Sequence, residues 1–218
     1  MTNSITGEAH QAFWPRNARQ MAIYVFLLLT FISACGKPPP LPALDANATV
    51  LAFGDSLTFG TGAAEGESYP AQLKNLIGRN VIASGVPGEI SADGLVRLPS
   101  ALEEYQPRLL ILCHGGNDFL RKLGDDKAAA NIRAMVKLAK DKGIAVVLIA
   151  TPKPGLLPAP PDFYADIAKE FSIPLDDSVL KKILTDNALK SDLIHPNARG
   201  YGMIAEAIAK LLKSSGAV

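Results

Sequence analysis

Cysteine is scarce in this chain. Of 218 residues only Cys35 and Cys113 are cysteine, too few for a disulfide framework and too different in context to pair. His10, His114 and His195 are scattered, and no Cys, His or acidic side chains recur at metal-ligand spacing. Excess charge of either sign is also missing: the formal net charge is +1, acidic and basic residues are interleaved, and there is no basic stripe to hold nucleic acid. The stretch Gly54 to Gly66 has neither a Gly-Lys-Ser/Thr ending nor a dinucleotide fingerprint, which argues against a nucleotide-binding module. No metal or other cofactor is implied.

What is present begins with a targeting pattern. Arg16 and Arg19 precede an apolar run from Met21 to Ile32, followed by the small residues Ser33-Ala34 and then Cys35-Gly36. A charged segment, an apolar segment and a small-residue cleavage site are the parts of an export signal, and the run is shorter than the roughly 20 residues a spanning helix needs. Ile32-Ser33-Ala34-Cys35 resembles the lipobox of bacterial lipoproteins. That resemblance implies export, lipidation of Cys35 as the mature N-terminus, and attachment to a membrane on the periplasmic side, with Gly36 favouring the outer membrane. A soluble periplasmic or secreted form is the alternative. The expected organisation is an export signal over 1–35, a stiff Pro-rich tether over 36–47 and one folded domain over 48–218.

From about Thr49 onward, apolar runs of strand length alternate with amphipathic stretches, the pattern of a parallel sheet covered by helices on both faces. Strands are expected at Val50–Phe53, Val81–Ala83, Leu109–Cys113, Ala145–Ala150 and Ile173–Leu175. Helices are expected at Ser68–Ile77, Ser91–Glu104, Asp126–Lys142, Phe163–Phe171 and Asn197–Leu212, with an irregular Pro-rich loop over Pro152–Pro161. The fold class is α/β, a three-layer α/β/α sandwich around about five parallel strands.

The first strand stops at Gly54-Asp55-Ser56, a turn that delivers a serine to the C-terminal edge of the sheet, where open α/β folds place ligands. A helix cap accounts for the tripeptide equally well, so the rest of the chain decides. A nucleophilic serine needs a base oriented by a carboxylate. Asp192-Leu193-Ile194-His195-Pro196 places a carboxylate three residues before an imidazole, and one turn brings the two together. His114 reads as a strand-end histidine satisfied by backbone, on the face opposite Cys113. The Gly-rich segments at 85–88 and 115–118 are suited to supply oxyanion donors from the Gly88 N–H and the Asn117 amide, beside the Ser56 N–H. Asp55 and Asp118 are expected to shape their own turns through local side-chain to backbone bonds.

Taken in order, Gly54-Asp55-Ser56-Leu57, Gly88, Gly115-Gly116-Asn117-Asp118 and Asp192-x-x-His195-Pro196 resemble the blocks of the SGNH (GDSL) hydrolase superfamily. The resemblance implies a flavodoxin-like fold, Ser56 as nucleophile and oxyanion donor, Gly88 and Asn117 as further donors, and Asp192 and His195 completing the triad. Gly94-Leu95-x-Arg97-Leu98-Pro99 and Asn117-Asp118-x-Leu120-Arg121 are similar to the bacterial multifunctional thioesterase/lysophospholipase/arylesterase group. In that group the second block reads Asn-x-x-x-Ser-Gly-Asp-Thr. Here Ala83, Pro87 and Ile90 replace its Asn, Ser and Thr, so Gly85 competes with Gly88 for the oxyanion role. The implied function is hydrolysis of short- to medium-chain, aryl or lysophospholipid esters, small-molecule or lipid substrates. Pro154-Gly155-Leu156-Leu157-Pro158 and Phe163 follow the fourth strand on the same sheet edge, where they suit an acyl groove and simple surface packing equally well. The alternatives are an O-acetyl carbohydrate esterase or acyl thioesterase on the same site, and a non-catalytic binding lipoprotein.

Overall fold

The computed structural model describes residues 37–218, so the segment expected to be an export signal, with Cys35, lies outside the described residues. Five strands, β1 (Thr49–Gly54), β2 (Asn80–Gly85), β3 (Leu109–Cys113), β4 (Ala145–Ile149) and β5 (Leu175–Asp176), form one sheet in the order β2-β1-β3-β4-β5. All pairings are parallel. Parallel strands need long crossovers that lay helices on both faces, and strands covered on both sides read as continuous apolar runs. Accordingly β3 is buried along its whole length, and in β1 only Thr49 is less than buried.

Side chains alternate between two separate cores. Val50, Ala52, Leu109, Ile111 and Cys113 face one, and Leu51, Phe53, Leu110 and Leu112 face the other. The first core is closed by α2 (Tyr69–Ile77), α7 (Val179–Thr185) and α8 (Ala198–Ser214), the second by α3 (Ser91–Tyr105), α5 (Asp125–Asp141) and α6 (Phe163–Phe171). The expected α/β/α sandwich is therefore observed.

Three helices depart from the sequence reading: α1 (Ser56–Phe59), α4 (Gly116–Leu120) and α7. Their lengths of 4, 5 and 7 residues give no apolar period to detect. The fifth strand is Leu175–Asp176 rather than Ile173–Leu175, because Ile173 points into the second core and the ladder starts later. The loop after β4 is irregular as expected, apart from one bridge between Lys153 and Ala159.

The Pro-rich stretch expected as a stiff tether is, from Leu41 onward, hydrogen-bonded to the C-terminal end of the chain. Leu41 N–H donates to Ser215 O and Leu44 N–H to Ala217 O, both at 2.8 Å, and Leu44 is buried in the first core. Leu41 and Leu44 are apolar among prolines, and apolar side chains beside an open core edge dock on it. Among the described residues no helix is long and apolar enough to cross a membrane.

The strand order matters for function. The chain runs outward from β1 to β2 and then crosses back to β3, so the connections leaving β1 and β3 part to opposite faces and open a crevice at the strands' carboxyl ends. Asp55-Ser56 follows β1, which ends at Gly54, and His114-Gly115-Gly116-Asn117 follows β3, on the two sides of that crevice.

Candidate active site

Ser56 opens α1, a single turn seated on the end of β1. Asp55 caps it, its Oδ1 accepting the Leu57 N–H at 3.0 Å. Close backbone contact requires glycine here: a Cβ on Gly54 would lie 2.0 Å from Cys113 O, and one on Gly85 would lie 2.2 Å from Phe59 N. Gly85 is thus explained by packing against α1. Asp55 is buried, and burial pushes its pKa up against the opposing pull of His114 and the Leu57 N–H.

Asp192 and His195 sit on a closed turn ahead of α8, held by Ser191 N–H to His195 O at 3.0 Å and Asn197 N–H to Leu189 O at 2.9 Å. Asn197 caps α8 through Gly200 N–H at 3.1 Å. Within the turn, Asp192 Oδ1 accepts the Ile194 and His195 N–H groups, each at 2.8 Å, and Oδ2 accepts His195 Nδ1–H at 2.7 Å. With that proton committed to the carboxylate, His195 Nε2 is the acceptor for Ser56 Oγ, 3.0 Å away. Burial works against the charge on Asp192, but the His195 ring and the two N–H bonds outweigh it and hold the carboxyl below its ordinary range. His195 is largely enclosed while the Asp192 side chain is 52% exposed.

Asn117, in α4, shares a pocket with Ser56 and His195. Its Nδ2 donates to Glu89 O at 3.0 Å and to Asp55 Oδ2 at 3.3 Å. Gly88 lies in the β2–α3 loop at φ +79°, a conformation that favours glycine. Its carbonyl accepts Arg121 Nη2 at 2.7 Å, and among the described residues its N–H has no backbone acceptor. Gly88 does not line the pocket itself.

Asp118 and His114 take roles other than those expected. Asp118 does not bond its own turn: its Oδ2 accepts the Ser91 N–H at 2.8 Å and its Oδ1 the Ser91 hydroxyl at 2.6 Å, so it caps the start of α3 from across the crevice. His114 is satisfied only in part by backbone: Nδ1 accepts the Gly115 N–H at 3.1 Å, but Nε2 faces the Glu89 carboxylate at 3.1 Å. Its expected separation from Cys113 holds, since Cys113 faces the first core and His114 packs near Phe53 of the second.

The pocket encloses about 460 Å³. Pro154, Gly155 and Pro158 line it as expected, but Leu156 and Leu157 project into solvent. Phe163 stacks on Tyr164 at 4.3 Å and belongs to the second core. The walls the sequence reading missed are Leu120, Thr151, Leu184, Lys190, Leu193 and Ile194. Leu120 and Ile194 adjoin motif residues, a signal that was available; Leu184 and Lys190 carried none. Among the described residues no three His, Cys, Asp or Glu side chains converge as a metal site would require.

Comparison with known proteins gives concordant results. The model of the GDSL-like Lipase/Acylhydrolase family matches residues 52–203. Thioesterase 1/protease 1/lysophospholipase L1 of Escherichia coli (strain K12) is 30% identical over 199 residues, covering 87% of this chain and 90% of that protein. An arylesterase of Vibrio mimicus is 28% identical over 187 residues, covering 78% and 90%. The crystal structure of TesA is similar with a TM-score of 0.69 at 25% identity, over 77% of this chain and 99% of that one. AlinE4, an SGNH-hydrolase family esterase, is similar with a TM-score of 0.62 at 28% identity, over 79% and 98%.

Proposed function

The chain belongs to the GDSL-like lipase/acylhydrolase family and is a serine ester hydrolase, and from that premise we propose that Ser56, His195 and Asp192 carry its chemistry. Ser56 Oγ attacks the carbonyl carbon of a carboxylic ester while His195 Nε2 takes the hydroxyl proton. The tetrahedral intermediate collapses as the same nitrogen gives that proton to the departing alkoxide, leaving an acyl-serine. Water, deprotonated by His195, then attacks the acyl carbon and restores the hydroxyl of Ser56. Asp192 fixes the tautomer of His195 and balances the imidazolium charge. The oxyanion is received by the Ser56 N–H, the Gly88 N–H and the Asn117 amide, whose weaker bond, to Asp55, is the one an oxyanion would displace.

The observation that carries this reading is the relay Ser56 Oγ to His195 Nε2 at 3.0 Å and His195 Nδ1 to Asp192 Oδ2 at 2.7 Å. Labelling with a fluorophosphonate tests it. Ser56 is expected to be the modified residue, and labelling that persists in Ser56→Ala would overturn the assignment.

For substrate, the pocket's apolar walls suit an acyl chain of short to medium length, and relatives named lysophospholipase and arylesterase support aryl esters and lysophospholipids. The relative named thioesterase keeps an acyl thioester as the second reading on the same site. The lipobox-like Ile32-Ser33-Ala34-Cys35 supports an exported, periplasmic-side enzyme anchored through Cys35. Incorporation of labelled fatty acid that disappears in Cys35→Ser is the expected result; unlabelled wild-type protein would reject the anchor.

A further inference from the structure

Behind the loops that carry the oxyanion donors lies a charged cluster to which ester hydrolysis assigns no part. Glu89 is buried, and both of its carboxylate oxygens are held. Oε1 accepts from Arg97 Nε at 2.7 Å, and Oε2 accepts from Arg97 Nη2 at 2.7 Å and from His114 Nε2 at 3.1 Å. Because His114 Nδ1 accepts the Gly115 N–H, the ring proton is on Nε2 and points at Glu89. The Arg97 guanidinium lies 3.9 Å over the Phe53 ring. Its remaining bonds go to Ser84 Oγ at 2.6 Å and to Gly54 O and Ser84 O, both at 3.3 Å. Room for the imidazole comes from Gly94, where a Cβ would lie 2.4 Å from His114 Nε2.

A buried ion pair is a poor source of stability, because desolvating the charges consumes most of their attraction. Fixed geometry is what such a cluster supplies. Its members are joined through the main chain to each wall of the oxyanion site. Gly54, whose carbonyl Arg97 holds, lies two residues before Ser56. Glu89 follows Gly88, and its own carbonyl holds the Asn117 amide at 3.0 Å. His114 lies three residues before Asn117. These three loops leave different strands; the ladder reaches them only through bonds such as Val86 N–H to Gly54 O at 3.1 Å, and side chains must carry the fixed geometry on to the donors that an oxyanion hole demands.

We infer that Glu89, Arg97 and His114 are positioning residues that lock the Ser56, Gly88 and Asn117 donors into one frame, so that loss of the cluster is felt in kcat. The inference rests on the reading of those three residues as oxyanion donors.

A double-mutant cycle on hydrolysis of p-nitrophenyl acetate tests it. His114→Leu keeps the bulk of the ring and removes the donor; His114→Gln retains an N–H near the place of Nε2. Expected is a drop in kcat of about tenfold or more for His114→Leu, with KM within about threefold, and recovery of most of that loss in His114→Gln. In an Asn117→Ala background, His114→Leu is expected to cost less than about threefold further, because His114 anchors the Asn117 loop, whose donor is already gone, while Arg97 still holds Glu89 and Gly54 O beside the other two donors. Equal losses in both backgrounds, or no recovery with glutamine, overturn the inference while leaving the donor assignment intact. An Asn117→Ala variant with full kcat overturns the donor assignment and the inference together. Should His114→Leu fail to fold, Glu89→Gln takes its place in the cycle: a kcat loss that shrinks in the Asn117→Ala background is expected, and equal losses in both backgrounds overturn the inference.

Discussion

His195 reaches Ser56 across 139 residues of sequence, with Nε2 3.0 Å from Oγ, from a turn whose carboxylate lies only three residues before the imidazole. The base and its orienting group are thus one local unit, while the nucleophile belongs to another. Tertiary contacts of α8 join them: the Tyr201 hydroxyl donates to Thr61 O at 2.8 Å, and Ala198 O accepts from Gln72 Nε2 of α2 at 3.2 Å. The consequence is that either unit can be disabled separately, but neither functions alone.

Ser56→Ala is therefore expected to lower kcat for an aryl ester by at least about 10³-fold, and His195→Ala by a similar factor. The double variant should be no worse than either single one, since groups that act as one unit lose their effect together. Steady-state kinetics on the three proteins check this, and multiplicative losses would contradict it.

Asp192 presents half of its side chain to solvent, so water can partly replace it as a partner for His195 Nδ1. Asp192→Ala is expected to cost less in kcat than Ser56→Ala, by about tenfold or more, with KM little changed. The ordering of the two losses in parallel assays is the measurement.

Glu89 should make stability fall in acid. Burial pushes its pKa up, but the bonds from Arg97 and His114 push it down further, from an ordinary 4.5 to about 2. Below 4.5 the unfolded chain takes up a proton that the folded chain refuses, so this contribution is complete above that value and is lost as pH falls toward 2. Urea midpoints measured across that window should decline in the wild type, and the part of the decline due to Glu89 should vanish in Glu89→Gln.

Asp118 accepts two bonds from Ser91 while buried. Asp118→Ala leaves both donors at the start of α3 without a partner and should destabilise the fold by about 3 kcal/mol. Urea denaturation checks this, and a change under about 0.5 kcal/mol would show that the cap is dispensable.

Leu184 lines the pocket from α7. Leu184→Trp should shift the preferred acyl chain toward shorter esters by filling part of the pocket, lowering kcat/KM for the longer chain about tenfold while acetate esters are spared. A series of p-nitrophenyl esters reads this directly.

The legible part of this protein was whatever the chain writes locally. Strands buried on both faces must be apolar along their length, so β1, β3 and β4 stood out. Ser56 and Asn117 stand at the starts of α1 and α4, Asp192 and His195 share one turn, and in each case the flanking residues mark the site locally, so each is nameable without knowing what it touches. The short helices α1 and α4 are too brief to show a period, although their first residues belong to the motifs. What only the tertiary structure decided are the pairings between segments: Asp118 with Ser91, Glu89 with Arg97 and His114, and Leu184 with the pocket around Ser56. A side chain's intrinsic chemistry is written in its residue type, but its partner is set by strand order and register. Here the order β2-β1-β3 is what brings the loops after three different strands to one edge of the sheet.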